Sequence, residues 1–196
     1  MEFALSLSNR TFALKALATA ILSIDLARPI RVAVDGQTAS GKTTLSDELA
    51  QLLASEHREV IRTSIDGFHQ PKAVRYARGR HSPEGYYYDG RDLKAVNALL
   101  LSPLGPGGNR EYRTASFDLM NDEPIDQSGK TASPNAILIV DGTFLQRPEL
   151  AENWDLAIFV ETTKATSEQR GVGRDTELLG GVDAARQVYA SRYQPA

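Results

Sequence analysis

A chain of 196 residues, 41% apolar and 24% charged, has the make-up of one ordinary globular domain with room for a sizeable core. A net charge of −3 gives no reason to expect nucleic acid as the main partner, and the lack of cysteine removes disulfides, thiolate metal sites and cysteine nucleophiles. Residues 1–24 are broken by Glu2, Asn9, Arg10 and Lys15, so they lack the apolar stretch of a signal peptide, and no run reaches membrane-spanning length.

Leu14, Leu17, Ile21 and Ile24 recur at helical spacing and predict an amphipathic helix lying on the domain. Residues 30–34 are apolar almost throughout, as in a parallel strand buried on both faces. Directly after them, Gly36-Gln37-Thr38-Ala39-Ser40-Gly41-Lys42-Thr43 spell G-x-x-x-x-G-K-[ST], and a helical pattern covers 42–54. Such a loop curls so that successive backbone N–H groups face one concavity, and the helix behind it adds its positive dipole end. The pattern predicts a nucleoside triphosphate held by Gly36, Gln37, Thr38, Ala39, Ser40, Gly41, Lys42, Thr43 and Thr44. Lys42 is expected on the β/γ-phosphate oxygens and the Thr43 hydroxyl on Mg²⁺.

A second buried strand, 60–65, ends at Asp66, which places that carboxylate at the carboxyl edge of a sheet beside the phosphate loop. A carboxylate there can take the proton of an attacking hydroxyl; a helix N-cap or turn aspartate is the alternative. His69, two residues past Gly67, is expected either to line an acceptor pocket or to serve as a structural hydrogen bonder. Positions 67–88 carry no clean period but hold Arg75, Arg78, Arg80, His81 and Tyr86-Tyr87-Tyr88, which argues for a binding flap. A helix is predicted from Asp89, with Asp92 three residues on and Leu93, Val96 and Leu100 on one face. The turn-rich stretch 105–135 contains one expected short strand near 111–117.

The apolar run 136–140 ends at Asp141, expected to hold the Mg²⁺ shell, with a turn former ahead of Gly142 as the alternative. A fourth strand is predicted at 156–160, with helices from about 163 and over 183–192. Arg170 and Arg174, spaced i, i+4, share a face of the first of these and can bring cations over a transferring phosphate, with Gly171, Gly173 and Gly180-Gly181 as hinges. Asp175 is expected to orient Arg174, and Trp154 to pack. Strands alternating with helices predict the α/β class: a three-layer sandwich whose doubly wound, mainly parallel sheet is flanked by helices. The expected organisation is a single domain over 1–196 with flap insertions at 67–88 and 105–135 and a lid at 165–182.

These residues together resemble the phosphoribulokinase/uridine kinase family of P-loop kinases. Val32-Ala33-Val34-Asp35-Gly36 is similar to that family's opening, and Asp66-Gly67-Phe68-His69 to its D-[SG]-F segment, whose aspartate is the base. Ser82-Pro83-Glu84-Gly85-Tyr86 resembles its H-P-[DE]-x-[FY] acceptor element, and Val140-Asp141-Gly142 its [ED]-G after the later strand. Arg170 and Gly173-Arg174-Asp175 resemble its lid pattern R-x-x-x-R-D. The resemblance implies an α/β P-loop fold, ATP and Mg²⁺ as cofactors, Asp66, Lys42, Arg170 and Arg174 as catalytic groups, and His69, His81, Glu84, Tyr86 and Tyr112 on the acceptor side. Uridine kinases carry an aspartate where this chain has His81, and the segment from Tyr112 to Phe117 has no histidine where theirs reads the base. Pantothenate- or sugar-type acceptors therefore stand beside a nucleoside, as does a P-loop protein that binds nucleotide without transferring phosphate. The family continues past this chain's last residues, which implies a partly open adenine pocket. A guanine-nucleotide switch is disfavoured because no N-K-x-D signature occurs. The expected partner is a small alcohol in the cytoplasm, with neither nucleic acid nor membrane, and with a homo-oligomer left open.

Overall fold

The computed structural model describes residues 2–126 and 128–196, with side chains from Asn9 onward. Helix α1 (Glu2–Leu22) leads into strand β1 (Ile30–Asp35), the phosphate loop and helix α2 (Lys42–Ser55). Strand β2 (Val60–Ser64) passes into a 3-10 turn, Ile65–Phe68, and the flap beyond it carries helix α3 (Pro83–Tyr88). Helix α4 (Leu93–Val96) widens into a π-turn, Asn97–Leu101. Strands β3 (Ile137–Asp141) and β4 (Leu156–Phe159) follow, then helices α5 (Lys164–Leu179) and α6 (Val182–Val188). The four strands form one parallel sheet in the order β2-β3-β1-β4. The chain leaves β1 toward β2, returns through β3 and crosses to β4, so the sheet reverses its winding around β1, where a ligand crevice is expected.

Side-chain alternation builds two cores from this one sheet. Ile30, Val32 and Val34 of β1, with Ile137 and Ile139 of β3, pack against Ala18 and Ile21 of α1 and Leu49 and Leu53 of α2. Ala33, Leu138 and Val140 point the other way, onto Ile65, Phe68, Val96 and Leu100. The two central strands, β1 and β3, are buried on both faces, hence their apolar runs. The expectation of full burial does not hold at the sheet's edges: β2 is mostly half-buried and carries Arg62, Thr63 and Ser64, and Ala157 and Phe159 face solvent where β4 forms the opposite edge. Arg31 is the exception in β1. It is buried on the second face, where Asp155 accepts its backbone N–H at 2.8 Å and Leu101 accepts from its guanidinium at 3.3 Å. Leu14, Leu17 and Ile24 lie against the first core, and Trp154 packs on the second while its indole donates to the Leu145 carbonyl. Among the described residues no helix is long and apolar enough to cross a membrane.

Two expected elements are revised. The helix predicted from Asp89 starts later: Asp92 is its N-cap, accepting from the Ala95 N–H at 2.9 Å. Asp89 instead ends α3 and pairs with Arg78, and a Cβ at Gly90 would lie 2.6 Å from the Tyr86 carbonyl oxygen, so the chain turns too tightly there for a helix to pass through. The single short strand expected near 111–117 is two fragments, each paired with a later segment. Glu111–Tyr112 runs antiparallel to Lys130–Thr131, and Phe117–Asp118 to Glu123–Pro124.

Candidate active site

The phosphate loop is built by backbone that most residues avoid. Gly36 has φ +148°, and a Cβ there would stand 2.4 Å from the Val160 carbonyl oxygen. Gly41 lies in the left-handed region at φ 100° as the N-cap of α2 and brings no side-chain cap. The first N–H groups of α2 are thus left to whatever enters the loop. Asp35 ties the loop down, accepting from the Gly36 N–H at 2.7 Å and the Gln146 N–H at 3.0 Å. Gln37 donates to the Thr162 carbonyl beyond β4, and Ser167 of α5 donates to the Thr38 carbonyl at 2.6 Å. Lys42 is buried and bends its Nζ back onto the Gln37 carbonyl at 2.7 Å. Burial lowers its pKa, opposed by Asp141, Asp35 and Asp66, three carboxylates close enough to act on it.

Register then sets the acids. Ser64 of β2 and Val34 of β1 both pair with Asp141 of β3 at the carboxyl edge of the sheet. The Thr43 hydroxyl donates to Asp141 Oδ2 at 2.7 Å, while Oδ1 is buried with no aligned hydrogen-bond donor and has Arg62 Nη1 at 2.7 Å. A hydroxyl and a buried, incompletely bonded carboxylate oxygen facing the loop form a hard-oxygen donor pair that suits Mg²⁺.

Asp66 sits in the 3-10 turn that follows β2, its N–H accepted by the Ser64 hydroxyl at 3.2 Å. Its side chain is 65% exposed, and Arg91, which the sequence did not single out, donates to its Oδ1. Desolvation is the largest influence and works against the charge, but the Arg91 guanidinium, His69 and Lys42 together hold the Asp66 carboxyl below the ordinary range. His69 is buried behind the turn, its Nδ1 2.7 Å from the Asp66 carbonyl oxygen; burial and Arg91 push its pKa down to about 4, so the ring is neutral at pH 7.

Arg174 of α5 is gripped by Asp175 at 2.6 and 2.9 Å, and Tyr189 donates to the same carboxylate at 2.8 Å. The paired bond drives the guanidinium further toward its charged form, to which Asp66 also contributes. Asp175 therefore orients Arg174. Arg170, one turn earlier, is exposed and has no hydrogen-bond or ion-pair partner among the described residues.

No family model matches the chain. It is 28% identical over 171 residues to uridine-cytidine kinase B of Dictyostelium discoideum, covering 86% of this chain and 68% of that protein. It is 26% identical over 176 residues to a chloroplastic uridine/cytidine kinase of Arabidopsis thaliana, covering 86% of this chain but only 34% of that protein, so the chain spans about a third of the plant relative. Among solved structures, a putative fructose transport system kinase from a Silicibacter species superposes with a TM-score of 0.74 at 26% identity, over 93% of this chain and 90% of that one. The fold is also that of a possible uridine kinase from Bacillus stearothermophilus, with a TM-score of 0.68 at 22% identity over 97% and 95% of the two chains. The chain is thus similar, at 26–28% identity, to uridine/cytidine kinases and to a kinase of the same fold.

Within this uridine kinase-like frame the acceptor-side candidates fall in different places. Tyr86 reaches the loop itself, its hydroxyl 3.2 Å from both the Thr38 and Thr143 hydroxyls. Glu84 is exposed on the first turn of α3, accepting from the Ser82 hydroxyl, and His81 is exposed with its Nδ1 3.4 Å from the Ser191 hydroxyl. Tyr112 is different: it is buried in the second core, so it can shape the cleft only from beneath. Gly171 is no hinge. A Cβ there would come within 2.0 Å of the Tyr189 ring, so this glycine lets α5 close against the chain beyond α6, and the turn falls at Gly180 and Gly181, both with positive φ. Three residues outside the expected set complete the picture: Asp35, Arg62 and Arg91. Of these, Arg62 left a sequence signal, a lone charge inside a run read as a strand.

Proposed function

We propose that this chain transfers the γ-phosphate of ATP to a hydroxyl of a small polar metabolite, with a nucleoside such as uridine or cytidine as the first acceptor to consider. The acceptor oxygen bonds to the γ-phosphorus, the bond from that phosphorus to the β–γ bridging oxygen breaks, ADP leaves, and the hydroxyl proton passes to Asp66. The single observation that carries this reading is the ionised, solvent-facing Asp66 carboxylate at the carboxyl edge of the sheet, close enough to Lys42 and Arg174 to shift both electrostatically. Lys42 and the loop amides hold the phosphates, while Arg174, steadied by Asp175, and the exposed Arg170 meet the charge that spreads over the phosphoryl oxygens. The Thr43 hydroxyl and Asp141 carboxylate would hold Mg²⁺, which when bound offsets the negative charge of the triphosphate. The cytoplasm, rich in ATP, fits the reading.

A sugar acceptor is the second reading, favoured by the likeness to the putative fructose transport system kinase over nine-tenths of both chains. ADP release in the presence of uridine, cytidine, pantothenate, fructose or ribulose 5-phosphate, each against a no-acceptor control, separates the two. Release with one acceptor class above the control is the expected result. Nucleotide binding with no acceptor-stimulated release from any of them would reduce the chain to a nucleotide-binding P-loop protein. Replacing Asp66 by Asn should keep nucleotide binding while turnover falls by about 10²–10⁴; near-wild-type turnover would remove Asp66 from the base role.

A further inference from the structure

Arg62 stands where a metal ligand's charge should be free. Its Nη1 lies 2.7 Å from Asp141 Oδ1 on one side, and its Nε donates to Asp47 Oδ1 of α2 at 2.8 Å on the other. The two carboxylates differ sharply in setting: the Asp141 side chain is 5% exposed and the Asp47 side chain 54%. With Thr43 on Oδ2, both oxygens of Asp141 are engaged by this chain's own side chains. In β2 the neighbouring Ile61 turns into the second core, so Arg62 points to the α2 side of the sheet and runs along it toward the carboxyl edge.

Taking the reading of Thr43 and Asp141 as the metal's ligands, we propose that Arg62 is a built-in competitor for the metal carboxylate, which makes the divalent cation enter with the nucleotide and not ahead of it. A buried carboxylate with no counter-charge is costly, and Arg62 is placed to supply that charge. A free divalent cation must displace that guanidinium for the sake of one carboxylate and one hydroxyl. A cation already carried on the β- and γ-phosphates brings the phosphate loop's interactions with it and outcompetes Arg62. Asp47 gives the displaced side chain a place to go, since its bond to Nε already exists. The guanidinium does not lose its proton, so the competition does not depend on pH. Arg62 is thus a positioning residue that sets the order of loading.

Two binding measurements on the full chain test this without turnover. Mn²⁺ binding without nucleotide, followed by the electron paramagnetic resonance of the free ion, should be weak in the wild-type chain and about tenfold tighter in Arg62→Gln, within the usual range for competing charges. The Mg²⁺ concentration that half-saturates binding of a fluorescent ATP analogue should fall in Arg62→Gln. It should rise in Asp47→Asn, where Arg62 has lost its outer partner and commits fully to Asp141. Opposite shifts in the two variants are not what a merely structural salt bridge would give. If Arg62→Gln does not fold, Arg62→Lys, whose shorter ammonium cannot bridge both aspartates, should move in the same direction by less. Unchanged metal dependence with intact nucleotide binding overturns the inference and leaves the kinase reading standing. A wild-type chain that binds no nucleotide at any metal concentration removes both.

Discussion

Arg91 and His69 show how much chemistry one carboxylate owes to its neighbours. Arg91 helps hold the Asp66 carboxyl low, so if Asp66 is the base proposed above, the wild-type rate should stay level as pH falls through the ordinary carboxylate range. In Arg91→Ala that support is gone, and the acid limb of kcat/KM against pH should move upward; an unmoved limb would show that Arg91 does not set the base. His69 acts on stability. Its folded pKa of about 4 lies below the ordinary histidine value of 6.5, so between those values the unfolded chain binds the extra proton. Stability from this group is therefore complete above about pH 6.5 and is lost progressively toward pH 4, by about 3 kcal/mol at most. Urea unfolding at pH 7 and 4.5 should show the loss, and His69→Gln should flatten it.

Helix α5 is positioned by what it lacks. An alanine in place of a glycine on an exposed helix face stabilises by about 1 kcal/mol. At Gly171 the added methyl would sit within 2.0 Å of Tyr189 Cζ and Oη, and Tyr189 is fully buried. Gly171→Ala should thus destabilise, by about 1–3 kcal/mol as overpacking does, and disturb the Asp175–Arg174 grip that Tyr189 supports. Thermal unfolding of Gly171→Ala, Tyr189→Ala and the double variant checks the cause: without the ring, the alanine should become neutral or favourable. The same helix docks on the phosphate loop through the Ser167 bond to Thr38, and Ala39 of the loop packs against the Val172, Ala185 and Tyr189 cluster. Movement of α5 and the shape of the cradle are therefore coupled.

For the molecule as a whole, the cradle links ligand to fold. A ligand held only by the native state at 100 times its Kd adds about 2.7 kcal/mol, which for a chain of this size raises Tm by roughly 5–10 °C. ATP with Mg²⁺ should produce such a rise, and Lys42→Met should abolish most of it; an equal rise in both would mean that the nucleotide binds elsewhere. The sheet decides which acids meet the ligand, since Ser64 and Val34 flank Asp141 only because β3 lies between β2 and β1.

Residues 30–43 carried their meaning locally: an apolar strand, two glycines at fixed offsets and a lysine mark a phosphate loop in the sequence alone, while Gln146, Thr162 and Ser167 from distant segments hold its shape. The sequence likewise located the four sheet strands, although only β1 and β3 are buried on both faces, and it put Asp66 and Asp141 at strand ends. Only the tertiary structure decided the partners. Arg91 meets Asp66 across 25 residues of sequence, and Arg62 meets Asp141 through the parallel pairing of β2 with β3. Tyr112 looked like an acceptor residue and became core, and the 111–117 strand split, because each fragment found a different later segment to pair with. Periodicity reports which face of an element is buried. Which charge lies against which depends on strand order and loop paths, and those arise only when distant segments pack together.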